Sequence, residues 1–140
     1  SDLALKVTKM LVELMKDNRK IVDRISKEQI DDFVDLLRKN EHYSYLELLK
    51  VLCVCNGVAI TDNQSYIAQK WLLEDTRGIY LTERGQNIDR KPNETYVSTD
   101  QMKTWTPLVD FVQPDESDQE SVERCLFLRT QLDLFIALCH

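Results

Sequence analysis

Residues Tyr43 to Trp71 constrain the fold of this chain more than any other stretch. An apolar helical pattern runs from Tyr45 through Leu48, Leu49 and Leu52, and Leu46, Val51, Val54 and Cys55 widen it. A helix apolar on most of its circumference has to be covered on most sides. The pattern stops at Asn56-Gly57, read as a helix stop because Gly accepts the left-handed conformation of a C′ position. Val58-Ala59-Ile60 reads as a short apolar link. Asp62 is then placed to cap a helix carrying Tyr66, Ile67 and Trp71. The stretch contains no visible chemistry and reads as a helix hairpin at the centre of a core.

A second helix must cover this one, and the flanking sequence supplies candidates. Leu3, Val7, Met10, Leu11 and Leu14 follow i, i+4, i+7, i+8, i+11 spacing and form one stripe of a helix over residues 3–16. Ser26-Lys-Glu-Gln29 is a capping box, and Ile30, Phe33, Val34 and Leu37 form the next stripe. Ser44-Tyr-Leu-Glu47 and Ser117-Asp-Gln-Glu120 repeat the cap pattern. The last helix, from Asp118 to about Leu138, carries Val122, Cys125, Leu126, Leu128, Leu132, Phe135, Ile136 and Cys139. It should pack on the central hairpin. From these stripes the expected core is Phe33, Leu37, Leu48, Leu49, Leu52, Cys53, Ile67, Trp71, Leu132 and Phe135.

Between Leu72 and Gln113 the periodicity fails. Gly78, Gly85, Pro92 and Pro107 fall here, among many Thr, Asn and Asp. Ile79-Tyr80-Leu81, Thr95-Tyr96-Val97 and Leu108–Val112 read as short extended pieces. Ser98-Thr-Asp-Gln101 reads as the cap of a short helix through Trp105. So long an irregular connection is unusual in a compact domain, and residues 72–116 are read as an irregular loop or variable insertion.

Composition narrows function by exclusion. The 140 residues suit a single domain, with an apolar fraction of 43% and a charged fraction of 30%. Three Gly and three Pro are too few for an all-β sandwich. A net charge of −6 argues against nucleic acid and anionic membranes, which need clustered cations. No apolar run spans a bilayer, and no signal peptide is visible. The start at Ser1 and end at His140 read as those of a piece of a longer protein.

The sites weighed each favour structure over chemistry. Cys53 and Cys55 stand about 200° apart on a helix, which is not metal-ligand spacing. With Cys125 and Cys139 they read as reduced, core-packed thiols, a disulfide or zinc site being the alternative. His42 and His140 lack partners for a triad. The acidic run from Asp115 to Glu123 fails the EF-hand pattern, since its sixth position is Glu120 and its twelfth Leu126. Lys16, Arg19, Lys20 and Arg24 form a basic cluster diluted by Asp17 and Asp23. A solvated surface or a contact with a protein or inositol phosphate both fit it. No catalytic, metal or cofactor site is expected. Capped helices joined by short turns suggest a mainly α, armadillo-like α-solenoid block, which favours an interaction module over an enzyme.

Several motifs resemble the intracellular calcium-release channels. Leu52-Cys-Val-Cys-Asn-Gly-Val-Ala59 with Asn63-Gln64 is similar to a segment of ryanodine receptors. Asn18-Arg-Lys20, Ile30-Asp-Asp-Phe33-Val34 and Leu37-Arg-Lys-Asn40 resemble the inositol trisphosphate receptor segment just after its ligand-binding core. Arg129-Thr-Gln-Leu-Asp-Leu-Phe135 with Cys139 resembles that receptor's Tyr-Arg-Tyr-Gln-Leu-Asn-Leu-Phe-Ala-Arg-Met-Cys helix. The resemblance covers about residues 1–70 and 120–140 and implies the shared helical homology domain of these receptors. It implies a non-enzymatic regulatory domain of a tetrameric channel, on the cytosolic side of the endoplasmic or sarcoplasmic reticulum. Its partners would be neighbouring domains and subunits, with no nucleic acid and no direct membrane contact. Asn63-Gln-Ser-Tyr-Ile-Ala68 echoes the family's ligand-binding helix, but Thr61-Asp62 replace its Arg-Lys. The resemblance therefore implies that inositol trisphosphate binds upstream of this chain. A stand-alone armadillo-type adaptor is the alternative.

Overall fold

The computed structural model describes residues 2–86 and 89–140. The described residues are mainly helical, with two small antiparallel sheets among them. Its first helix, α1, spans Asp2–Met15. It is turned away from the expected stripe. Thr8, Val12 and Met15 are buried, whereas Leu3, Val7, Met10 and Leu14 are exposed. Thr8 tolerates the core face because its hydroxyl donates to the Ala4 carbonyl at 2.8 Å. Asp17, at φ 54, ends the helix. A single turn, α2 (Arg19–Val22), leads into α3 (Lys27–Lys39).

The capping box of α3 forms as the sequence predicts. Ser26 Oγ accepts from the Gln29 amide at 3.1 Å, and Gln29 Oε1 accepts from the Ser26 amide at 2.9 Å. Ile30, Val34 and Leu37 form its buried face. Phe33 is only half-buried at the edge of the core.

Helix α4 (Tyr43–Cys53) is the centre. Tyr45, Leu46, Leu48, Leu49, Leu52 and Cys53 are all essentially sealed from solvent. Each fully buried Leu contributes roughly 1.5–3 kcal/mol. The cap is not Ser44 but His42, whose Nδ1 accepts from the Ser44 amide at 3.1 Å. Ser44 lies inside the helix, buried, with no partner for its hydroxyl among the described residues.

Asn56-Gly57 does not stop a helix. Cys53 is the last helical residue, and Val54–Cys55 (β1) pairs with Val58–Ala59 (β2). Asn56 and Gly57 form the two-residue turn between them, at φ 52 and 75. Both positions of a type I′ hairpin need positive φ, which Asn-Gly supplies at least cost. Helix α5 (Thr61–Ile67) follows and runs on as a π-helix over Ala68–Leu73. Asp62 lies in its first turn, but Ile60 occupies the cap position. Ile67 and Trp71 are completely buried.

The stretch read as irregular is built into the fold. Leu81–Arg84 (β3), Thr95–Ser98 (β4) and Thr106–Pro107 (β5) form an antiparallel sheet in the order β3-β4-β5. Leu81 pairs with Ser98, and Val97 with Thr106. Ile79, Tyr80 and Val97 join the same core as the helices. Leu108–Phe111 (α6) is helical, not extended. Ser98 opens a turn, not a helix: its hydroxyl accepts from the Met102 amide, and Gln101 and Met102 take positive φ.

Helix α7 (Gln119–Leu138) packs on α4 in the most extensive contact between elements. Its cap is Asp118, accepting from the Glu120 amide at 3.2 Å, in place of Ser117. Its inner face carries Phe127, Leu128, Gln131 and Leu134. Leu132, expected in the core, is 46% exposed, because the neighbouring Gln131 takes the inner face. Phe135 is half-buried, its ring 5.4 Å from that of Trp71.

Candidate functional site

Most of the side chains weighed for chemistry are buried or hydrogen-bonded within the fold. Burial pushes the Cys53 thiol up to about 12, which leaves it protonated and unreactive near neutrality. Cys55 and Cys125 are buried free thiols, and Cys139 is exposed, not core-packed. Among the described residues no His, Cys, Asp or Glu groups converge as a metal site. The acidic run caps its own chain: Asp115 accepts from the Ser117 amide and hydroxyl, which holds its carboxyl below the usual range. Asp118 accepts from the Ser121 hydroxyl at 2.7 Å.

The echo of a ligand helix over Asn63–Ala68 is likewise structural. Asn63 donates to the Leu52 carbonyl at 2.9 Å, tying α5 to the end of α4. Gln64, buried, donates to the Ala137 carbonyl at 2.9 Å. Tyr66 donates to Asp31 at 2.7 Å, and that bond raises its phenol to about 12. All three polar side chains are directed at protein partners. In the basic cluster, Arg19 is held by Asp23 at 2.7 Å.

Two polar residues that sequence reasoning passed over join distant parts of the chain. Gln131 of α7 accepts from the Tyr80 amide at 2.8 Å and donates to the Tyr80 carbonyl at 2.9 Å, with both residues buried. Arg38 of α3 donates to the carbonyls of Lys70 at 2.6 Å and Asp75 at 3.0 Å. Those carbonyls belong to the last turns of the π-helix and the chain just after it, and the guanidinium satisfies them. Burial raises both Tyr80 and its hydrogen-bonded neighbour Glu41 above their ordinary values. Burial also lowers His42, whose capping Nδ1 must stay unprotonated to accept.

What remains unengaged is surface. Leu3, Val7, Met10 and Leu14 repeat along the outer face of α1, at 72%, 46%, 71% and 53% exposure. Such a helical stripe at the surface is a candidate contact surface. On the other flank of α1 lies an open trough of about 460 Å³ between α1, α4 and α7. No helix among the described residues is long and apolar enough to cross a membrane.

Residues 2–82, from α1 into β3, match the family model of the RIH domain (RYDR_ITPR). Over 131 residues the chain is 26% identical to the inositol 1,4,5-trisphosphate receptor itr-1 of Caenorhabditis elegans, covering 93% of this chain and 4% of the receptor. Over 73 residues it is 25% identical to the inositol 1,4,5-trisphosphate receptor-like protein A of Dictyostelium discoideum, covering 52% of this chain and 2% of that protein. The chain thus spans a few per cent of the length of these relatives.

Proposed function

We propose that this chain, which belongs to the RIH-domain family, is a regulatory and structural domain of an intracellular calcium-release channel of the inositol trisphosphate receptor kind. On this reading its 140 residues form one helical homology domain of armadillo-like stacking. It sits on the cytosolic side of the reticulum membrane within a tetramer. It carries conformational change from the ligand-binding region towards the pore.

The observation that carries the reading is the apolar stripe of α1. The receptor that this chain matches over 4% of its length has other segments beside the aligned stretch. Leu3, Val7, Met10 and Leu14 form a surface a neighbouring domain would cover. The inner face of α1 packs on α4, which also packs on α3, α5 and α7. A push on α1 therefore bears on a close-packed core of low compressibility, which passes displacement to α7. On this reading inositol trisphosphate binds upstream, which the internal bonds of Asn63, Gln64 and Tyr66 support by leaving those side chains engaged.

Calorimetric titration of the chain with inositol trisphosphate tests the placement. No saturable heat is expected, and micromolar binding would contradict it.

A further inference from the structure

The trough between α1, α4 and α7 has an apolar floor and an acidic rim. Val51 of α4 and Val54 of β1 line it together with Val12 of α1 and Ala137 of α7. Ile136 stands at one lip and is 68% exposed, a large apolar side chain with nothing over it. Four carboxylates line the trough: Glu13, Asp17, Glu47 and Asp133. Against them stand two ammonium groups, Lys16 and Lys50, so the carboxylates outnumber the lysines by two. None of these four carboxylates takes part in an ion pair among the described residues.

We infer that this trough is a docking groove for a basic amphipathic helix of another polypeptide segment. The lining stretch of α7, Thr130 to Ala137, spans about 10 Å at 1.5 Å per residue, which matches about two turns of a docked helix. Apolar side chains at i, i+3 and i+4 would fill the floor, as in other helix-in-groove complexes. Lys or Arg on its flanks would meet the unpaired rim carboxylates. A small molecule fits less well. The volume is within the usual range of about 300–1,000 Å³, but such ligands need nearly complete enclosure. Here Glu13, Lys16, Lys50 and Asp133 are exposed along an open rim. The inference concerns a surface of the chain itself and stands whether or not the domain gates a channel.

Fluorescence anisotropy tests it, with a labelled Leu/Lys amphipathic peptide of about 14 residues as probe and a Leu/Glu counterpart as reference. The Leu/Lys peptide is expected to bind at one saturable site, at least about tenfold tighter than the Leu/Glu peptide. Glu47→Lys with Asp133→Lys should weaken it by about tenfold, whereas Asp32→Lys with Glu116→Lys, an equal charge change elsewhere, should not. Ile136→Asp separates docking from plain attraction. It makes the rim more acidic and should nonetheless weaken binding, and its exposure leaves the fold intact, checked by circular dichroism. Tighter binding by Ile136→Asp, or equal loss in the Asp32/Glu116 pair, would overturn the assignment. So would self-association of the chain that Ile136→Asp abolishes, which would seat a second copy in the groove.

Discussion

Replacing Gln131 by Leu removes a buried tie and little else. Gln131 is 1% exposed and Tyr80 3%, so water cannot substitute for either lost bond. The substitution strands the Tyr80 amide and carbonyl, now satisfied at 2.8 and 2.9 Å. Each unsatisfied buried group costs about 1–3 kcal/mol. The more apolar Leu offsets part of this, leaving a net loss of about 3 kcal/mol. For 140 residues the unfolding entropy is about 0.3 kcal/mol/K, so the thermal midpoint should fall by about 10 °C. Urea denaturation should give a lower midpoint at unchanged m. Gln131→Glu adds a sign test. A protonated carboxyl both donates and accepts, as the amide does, whereas the carboxylate only accepts and is buried unpaired. Its folded pKa is therefore raised. The variant should be most stable below the unfolded Glu value of about 4.3 and lose stability as pH rises. A midpoint for Gln131→Leu within about 1 °C of the parent would refute the claim that this tie holds the sheet to α7.

Leu52→Asn should cost roughly 2–5 kcal/mol through cavity and buried-polar terms, whereas Leu132→Asn, on an exposed position, should stay within about 0.5 kcal/mol by urea denaturation. Brief iodoacetamide treatment of the native chain, read by peptide mass spectrometry, should label Cys139 and spare Cys53, Cys55 and Cys125. His42 has its pKa lowered by burial, so its stabilising effect is complete above 6.5 and is lost as pH falls through the folded value. His42→Asn, which still offers a capping oxygen, should flatten that part of the stability–pH curve. At lower pH, Asp75 and Asp100, each held at about 2 by bonds to Arg77 and Thr104, should keep contributing until the pH drops from about 4 towards 2.

The local signals in the sequence were legible where they had a single physical meaning. The Ser26-x-x-Gln29 box and the Ile30, Val34, Leu37 spacing lead directly to α3. Asn56-Gly57 was ambiguous, because a helix C′ position and a type I′ turn both need positive φ. The short pairs Val54–Cys55 and Val58–Ala59 on either side were the signal for a hairpin. In α1, apolar residues occupy two adjoining arcs, and hydropathy favoured the arc that faces outward. Thr8 hides its polarity in a bond to its own helix, which no apolar count registers. Leu132 failed for the converse reason: Gln131 owns the inner face because of Tyr80, 51 residues away. The sheet was recognisable only as isolated extended pieces, since its pairing of Leu81 with Ser98 is set by nonlocal packing. Of the candidate surfaces, the α1 residues were visible, but their exposure was not. The groove needs the three-dimensional approach of α1, α4 and α7.

On the proposed function, α1 passes force between a ligand-binding region and a pore through its outer stripe. The direct measurement is calcium release from microsomes carrying a full-length receptor with Met10→Asp and Leu14→Asp in this domain, both on exposed positions. Inositol trisphosphate binding should stay within about twofold of the parent while the release it evokes falls by about tenfold. Unchanged release from a normally assembled, ligand-binding receptor would contradict the relay.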